Sequence, residues 1–458
     1  MPFKDECGVF GIYAHQEASR QTYLGLYALQ HRGQEAAGIC SRDGRELILH
    51  KDQGYVADVF NETILDRLRG QAAIGHTRYS TTGGNVASAA HPFLVRGRFG
   101  QVALCHNGNL TNTEQLRSKL IEEGHVFTSP SDSEVILALI NRAKADRLED
   151  AVHEALGQAE GAFSLLILAE DLFIAVRDPR GFRPLALGQL GDGWVLSSET
   201  TAFDLVNATY IREVAPGEML ILPSGSREPV SRFTDKPAAP SPCVFEHVYF
   251  ARPDSLVFGR SVMATRRDMG RRLALRYPVE ADLVVPVPDS GVHAALGYSE
   301  ASGIPFDFGL VRNHYVGRTF IEPKQSIRSF GVKVKLNPCR ELLKGKRVVL
   351  VDDSIVRGTT SRKIVQMVKE AGAAEVHLRI SSPPTTHSCF YGIDTPTRNQ
   401  LIAATHTVDE IQAFLGAETL GYLTVDDLQG AMGDQDGKGF CYACFTGNYP
   451  VAVRNGKA

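Results

Sequence analysis

Several things are missing from this 458-residue chain. No apolar run approaches the roughly 20 residues that a membrane helix needs. Its start, Met1-Pro-Phe-Lys-Asp-Glu6, has no apolar segment of the kind that opens a secretory signal, so the expected location is the cytoplasm. There is no basic excess: the formal net charge is -3, which argues against nucleic acid as a partner. The pairs Arg266-Arg267 and Arg271-Arg272 read as solvated helix faces. Internal repeats and low-complexity tracts are absent. The eight cysteines (Cys7, Cys40, Cys105, Cys243, Cys339, Cys389, Cys441, Cys444) are scattered, unlike a small secreted disulfide framework. In a reducing compartment they would serve metals, catalysis or the core.

What remains is an ordinary folded composition, 43% hydrophobic and 22% charged, in a chain too long for a single core. The first half reads as short strands between Gly-rich turns: Gly8–Tyr13, Ala72–His76, Val102–His106, Ala162–Leu168 and Leu172–Val176. Helical stretches interrupt them at Gln21–Gln30, Asn112–Glu123 and Ser133–Ala143, which favours an α+β arrangement. Lys236-Pro-Ala-Ala-Pro-Ser-Pro242 is the candidate linker. Beyond it the rhythm changes. Apolar strands Ala281–Val287, Lys346–Val351 and Glu375–Ile380 alternate with helix-like Ser361–Ala371, so a parallel sheet is expected, with its site at the strand C-termini.

Two sets of motifs carry chemistry. In the first half, Cys7-Gly8-Val9-Phe10-Gly11 is joined by His31-Arg32-Gly33, Gly75-His76-Thr77-Arg78-Tyr79, His106-Asn107-Gly108-Asn109 and Ser131-Asp132-Ser133-Glu134. The second and third of the longer motifs place polar groups directly after an apolar strand. Taken alone, Cys7 would be an unremarked core thiol. In the second half, Val348–Val351 leads into Asp352-Asp353-Ser354, then Arg357-Gly358-Thr359-Thr360-Ser361 opens a helix. Two carboxylates at a strand end, followed by a glycine- and hydroxyl-rich helix N-terminus, make a natural phosphate cradle. It is not a Walker A loop.

The first set resembles the amino-terminal-nucleophile (Ntn) glutamine amidotransferases, an αββα fold. That resemblance implies that Cys7 attacks glutamine as the first residue of the mature chain, because a free α-amino group has a pKa near 8 and can act as general base. Residues 1–6 would then be a propeptide, with the glutaminase domain at 7–235. It also implies an oxyanion hole from the Asn107 side chain and the Gly108 N–H. Arg78 would hold the glutamine carboxylate and Asp132 its ammonium. The second set resembles the type I phosphoribosyltransferases, here at 243–458. By that resemblance Asp352 and Asp353 hold the ribose hydroxyls, directly or through Mg²⁺. Ser354 and Arg357 to Ser361 hold the 5′-phosphate, and Ser290 in Pro288-Asp289-Ser290-Gly291 helps coordinate Mg²⁺. The stretch Asn313–Phe320, with Gln325 and Arg328, resembles a loop that closes over substrate; Arg312 stands where lysine is expected.

Both halves in this order resemble the amidophosphoribosyltransferase family over nearly the whole chain. The implied reaction takes ammonia from glutamine and places it on phosphoribosyl pyrophosphate. Glucosamine-phosphate and asparagine synthases share only the first half, and Asp352–Ser361 argues against them. A regulator with a decayed phosphoribosyltransferase fold would have lost residues that are present here. By spacing, Cys441-Tyr-Ala-Cys444 suits zinc, an iron–sulfur cluster or redox work. The family resemblance turns this toward the branch with a propeptide and a [4Fe–4S] cluster, implying Cys243, Cys389, Cys441 and Cys444 as ligands. Cys40, Cys105 and Cys339 are left as core or bystander thiols. A homotetramer or homodimer and feedback by purine nucleotides are further family expectations.

Overall fold

The computed structural model describes residues 7–78, 90–226, 228–313, 335–434 and 436–453. Met1–Glu6, Tyr79 and the stretch Tyr315–Arg328 therefore lie outside the described residues.

Period-two alternation sets the first half. Strand β1 (Gly8–Tyr13) points Val9 and Tyr13 one way and Phe10 and Ile12 the other. It sits between Gly193–Ser197 and β3 (Ala72–Arg78) in an antiparallel sheet that continues to β2 (Ala36–Asp43) and Glu46–Gln53. A second antiparallel sheet carries β4 (Gly100–Leu110) paired with β5 (Gly161–Ala169). The sheets face each other: Val9, Cys40 and Ile74 pack with Cys105, Leu166 and Phe173. Helix α1 (Ala18–Ala28) covers the outer face of the first sheet through Leu26 against Phe10 and Ile12. Helix α2 (Asp132–Arg142) covers the second through Val135, Ile136 and Leu139. Helix, sheet, sheet and helix thus form four layers, the αββα arrangement.

The second half is built around a parallel sheet in the order β6 (Leu283–Pro286), β7 (Arg347–Asp352), β8 (Glu375–Ile380), β9 (Thr419–Tyr422). Its strands are apolar because both faces are covered. Helix α3 (Thr359–Glu370) follows β7 and lays Ile364, Val365 and Val368 on one face. Between the halves, the proline-rich stretch is strapped to Pro179–Phe182: the N–H groups of Ala239, Ser241 and Cys243 donate to the carbonyls of Pro179, Arg180 and Phe182 at 3.0, 2.7 and 3.0 Å.

Two sequence expectations need correction. Arg266 is not on a solvated face. It is 4% exposed, with Nε and Nη2 donating to the carbonyls of His247 and Ala251 at 2.8 Å each. Only Arg267, Arg271 and Arg272 reach solvent, on surface carboxylates. The polar motifs of the first half also do not follow their strands. Gly75–Arg78 and His106–Asn109 lie inside β3 and β4, because β1 and β5 continue the ladder beside them. Among the described residues, no helix is long and apolar enough to cross a membrane.

Candidate functional site

Cys7 precedes β1 at the edge where Gly8 pairs with Thr77, which brings it to the Arg78 end of β3. Arg32 holds its backbone, with Nε donating to the Cys7 carbonyl at 3.1 Å. The turn of His31-Arg32-Gly33 can do this because Gly33 has no side chain. A Cβ there would stand 2.6 Å from the Thr77 carbonyl carbon and 2.7 Å from the Arg78 nitrogen. Arg32 is fully buried and answers two carboxylates, Glu199 at 2.6 Å and Glu246 at 2.8 Å.

Asn107 is 2% exposed, and its Nδ2 donor has no hydrogen-bond partner among the described residues. An unmade bond at a buried amide costs about 1–3 kcal/mol, so its presence calls for an occupant. Next to it, Gly108 takes φ +147°, and a Cβ there would fall 2.2 Å from the Ala162 carbonyl oxygen. Asp132 opens α2, where the helix dipole favours an anion. Burial pushes its carboxyl up, but the His106 ring 3.5 Å away and the Leu110 N–H at 3.0 Å outweigh that and hold it below its ordinary value. Arg78 is buried on β3 at 4% exposure. Beneath lies a histidine layer. The His76 and His91 rings stack at 4.4 Å, His91 Nε2 meets Ser133 Oγ at 2.7 Å, and His106 Nδ1 meets the same hydroxyl at 3.1 Å.

At the end of β7, Asp352 and Asp353 are both buried. Burial, then the charge of Asp353, drives the Asp352 carboxyl well above its usual range. Ser290 Oγ donates to Asp353 at 2.5 Å, and Ser354 Oγ donates to its other oxygen. The loop carrying Ser290 sits close because Gly291 allows it; a Cβ would lie 2.4 Å from the Val351 carbonyl oxygen. Gly358 caps α3 at φ +72°, so the first-turn N–H groups of Thr359, Thr360 and Ser361 lack intrahelical partners by helix geometry. Arg357 reaches Gln400 at 2.6 Å, and Arg312 pairs with Asp289.

The four cysteines singled out from the sequence converge. Cys243, Cys389, Cys441 and Cys444 line one apolar pocket with Phe182, Tyr391, Ile393 and Ala443. Backbone bonds assemble it: the Cys441 N–H donates to Pro242 at 2.8 Å, and the Thr386 and His387 N–H groups donate to Cys444 at 3.0 and 3.1 Å. The Tyr391 N–H donates to Cys389 Sγ at 3.3 Å. Burial raises the Cys441 thiol to about 12 and the Cys444 thiol well above its usual value. Such a set is costly to ionise without a cation to receive the thiolates. Among the described residues no three His, Cys, Asp or Glu side chains are grouped as a single metal-ion site.

Sequence reasoning missed Glu199, Glu246 and Arg183, and it marked Asn109 only as the last residue of the His106–Asn109 motif, with no partner. Each is charged or polar, buried or partly so, and separated by many residues from its partners, and no local pattern signals that. Of the buried charges that meet there, Arg32 of the His-Arg-Gly turn was marked from the sequence.

The fold and these two centres define a class, a glutamine amidotransferase domain followed by a phosphoribosyltransferase domain. Residues 76–205 match the glutamine amidotransferase domain family and residues 262–381 the phosphoribosyl transferase domain family. Within that class the chain belongs to the amidophosphoribosyltransferase family. It is 50% identical to the amidophosphoribosyltransferase of Bacillus subtilis over 98% of this chain and 95% of that one. It is 52% identical to amidophosphoribosyltransferase 1, chloroplastic, of Arabidopsis thaliana over 98% of this chain and 79% of that one. Among solved structures it resembles the glutamine phosphoribosylpyrophosphate amidotransferase from B. subtilis complexed with ADP and GMP, with TM-score 0.93, 49% identity and 99% of each chain covered.

Proposed function

We propose that this chain catalyses the amidophosphoribosyltransferase reaction: glutamine and phosphoribosyl pyrophosphate give 5-phosphoribosylamine, glutamate and pyrophosphate, the entry to purine synthesis in this family. The observation that supports the glutaminase half most is the buried Asn107 Nδ2, without a partner among the described residues, beside the Gly108 backbone on β4, where the neighbouring His106 carbonyl meets His76 of β3, the strand paired with β1. A buried donor suits an oxyanion that forms only during acyl transfer.

In this reading Cys7 supplies the thiol and, once residues 1–6 are removed, its α-amine takes the thiol proton. Arg32 fixes the Cys7 backbone, Arg78 binds the substrate carboxylate, and Asp132, kept ionised by His106, binds its ammonium. Ammonia then passes within the protein, where it stays unprotonated, to the second site. There the α3 N-terminus and the Ser354 and Arg357–Ser361 loop hold the 5′-phosphate. The raised Asp352 suits the chemistry, because a carboxyl that is buried beside a second acid ionises more readily against a cation. Ser290, Asp352 and Asp353 would hold Mg²⁺, which neutralises pyrophosphate as it leaves. The four cysteines would hold a [4Fe–4S] cluster. The reaction has no redox step, so the cluster's role would be to tie the linker and the tail to the second domain. Purine nucleotides as feedback inhibitors accord with the ADP and GMP bound in the B. subtilis structure; a homotetramer or homodimer is the family's expectation.

Three measurements test this. Protein purified without oxygen should release glutamate and pyrophosphate in step only when both substrates and Mg²⁺ are present. Glutamate release indifferent to the ribose substrate would leave a bare glutaminase. Mass spectrometry should place Cys7 at the amino terminus of the active chain; full activity with residues 1–6 attached rejects the α-amine as base. Iron and acid-labile sulfide should each approach four per chain, and stoichiometric zinc without sulfide rejects the cluster.

A further inference from the structure

The segment Cys389–Gly392 belongs to the second half of the sequence, but it lies against β4 of the first. Asn109 Nδ2 donates to the Phe390 carbonyl at 2.9 Å. Arg183 donates to the Tyr391 carbonyl from Nε at 2.9 Å and from Nη2 at 2.8 Å, while the Phe182 and Tyr391 rings stack at 4.2 Å. Gly392, at φ +112°, has no space beside it: a Cβ would stand 3.1 Å from Gly108 Cα.

Both ends of the glutaminase machinery meet this segment. Gly108 is held between the Ala162 carbonyl on one side and Gly392 on the other. Cys7 is reached by a chain of buried charges: Arg183 Nη1 lies 3.3 Å from Glu246, Glu246 binds Arg32, and Arg32 holds the Cys7 carbonyl. All three charged side chains are fully buried. Pairs buried in this way do not rearrange cheaply, because a broken partner leaves a bare charge in a low dielectric. An oxyanion donor, in turn, works only when it is set to within a fraction of an ångström.

We propose that Arg183, Asn109 and the Phe390–Gly392 backbone are positioning groups for glutamine hydrolysis. They fix the Gly108 N–H and the Cys7 backbone relative to each other, so the glutaminase site is completed by backbone from the phosphoribosyltransferase half. This rests on the reading of Cys7, Asn107 and Gly108 given above. It assigns these groups no contact with substrate.

The test uses the full-length protein with Asn109→Asp, which keeps the size of the side chain but turns the donor facing Phe390 into an acceptor, and Arg183→Lys, which removes the paired grip on Tyr391. The kcat for glutamine hydrolysis should fall about ten- to hundredfold, part of the ~100- to 1000-fold that losing a whole oxyanion donor costs. The KM for glutamine should stay within about threefold, because Arg78 and Asp132 are untouched. Pyrophosphate release driven by added ammonia should not change. Asn107→Ala serves as the control. If it abolishes hydrolysis while Asn109→Asp and Arg183→Lys leave kcat alone, the positioning role is overturned and the glutaminase reading stands. If Asn107→Ala still hydrolyses glutamine normally, the underlying reading falls instead. Parallel loss of the glutamine- and ammonia-driven reactions in Asn109→Asp marks a general folding defect and overturns the proposal as well.

Discussion

At the residue scale, the first site is a set of buried polar groups with uneven protonation. Burial holds the His76 ring down, to about 3, and the His91 ring well below its ordinary value, while Asp132 overcomes burial and raises His106. An unfolded histidine titrates near 6.5, so the folded chain binds fewer protons at His76 and His91 than the unfolded chain does. The stability these two rings lend is therefore complete above about pH 6.5 and drains away as pH falls below it. Each accounts for about 1.4 kcal/mol per pH unit in that window. His91→Gln should thus lose about 2 kcal/mol less than the parent between pH 7 and pH 5, as read by denaturant unfolding at both pH values. An equal loss in both proteins would mean that His91 is not held neutral. Asn107→Ala belongs to the same scale. It should lower glutamine hydrolysis by about 100- to 1000-fold and leave the ammonia-driven reaction intact, measured as glutamate and pyrophosphate release.

At the scale of elements, glycines decide how closely layers approach. Gly25 on α1 lies so near β1 that a Cβ would stand 2.3 Å from the Phe10 ring. Gly25→Ala should cost about 1–3 kcal/mol of stability through overpacking, seen as a shift of the denaturation midpoint with an unchanged slope. No shift would mean that α1 can slide off the sheet. The elements also show what a sequence can and cannot say. Glu375–Ile380 has the bounds read for it as a strand of the second half, and Gly8–Tyr13 those read for it as a short strand between Gly-rich turns. Val102–His106 was read too short, because the strand runs on through Asn107, Gly108 and Asn109 to Leu110. Those polar residues look like a turn from local preference alone. They stay in the ladder because Ala162, Phe163 and Ser164 pair with them from across the sheet.

Over the whole molecule, the halves are joined by buried charge as well as by the linker. Glu246, just past the linker, meets both Arg32 and Arg183. Glu246→Gln keeps the shape and removes the carboxylate charge that Arg32 and Arg183 share, while Arg32 keeps Glu199. Breaking a buried pair in this way costs about 3–5 kcal/mol, so thermal or denaturant unfolding should shift strongly. A variant as stable as the parent would show that solvent reaches this junction.

The sequence by itself determined the two chemistries and their order. The strings it marked, Cys7–Gly11, His106–Asn109 and Asp352–Ser361, are runs of neighbouring residues, though of the last two only Asp352–Ser361 keeps the strand end and helix N-terminus read for it. It also marked the four cysteines. Tertiary structure alone decided that these cysteines share one pocket, that Arg266 is buried, that His76 and His91 stack, and that Phe390–Gly392 lies against Gly108. Each of these depends on residues that are far apart in the chain. The cost of burying a polar group is repaid by a partner that only the folded chain brings near.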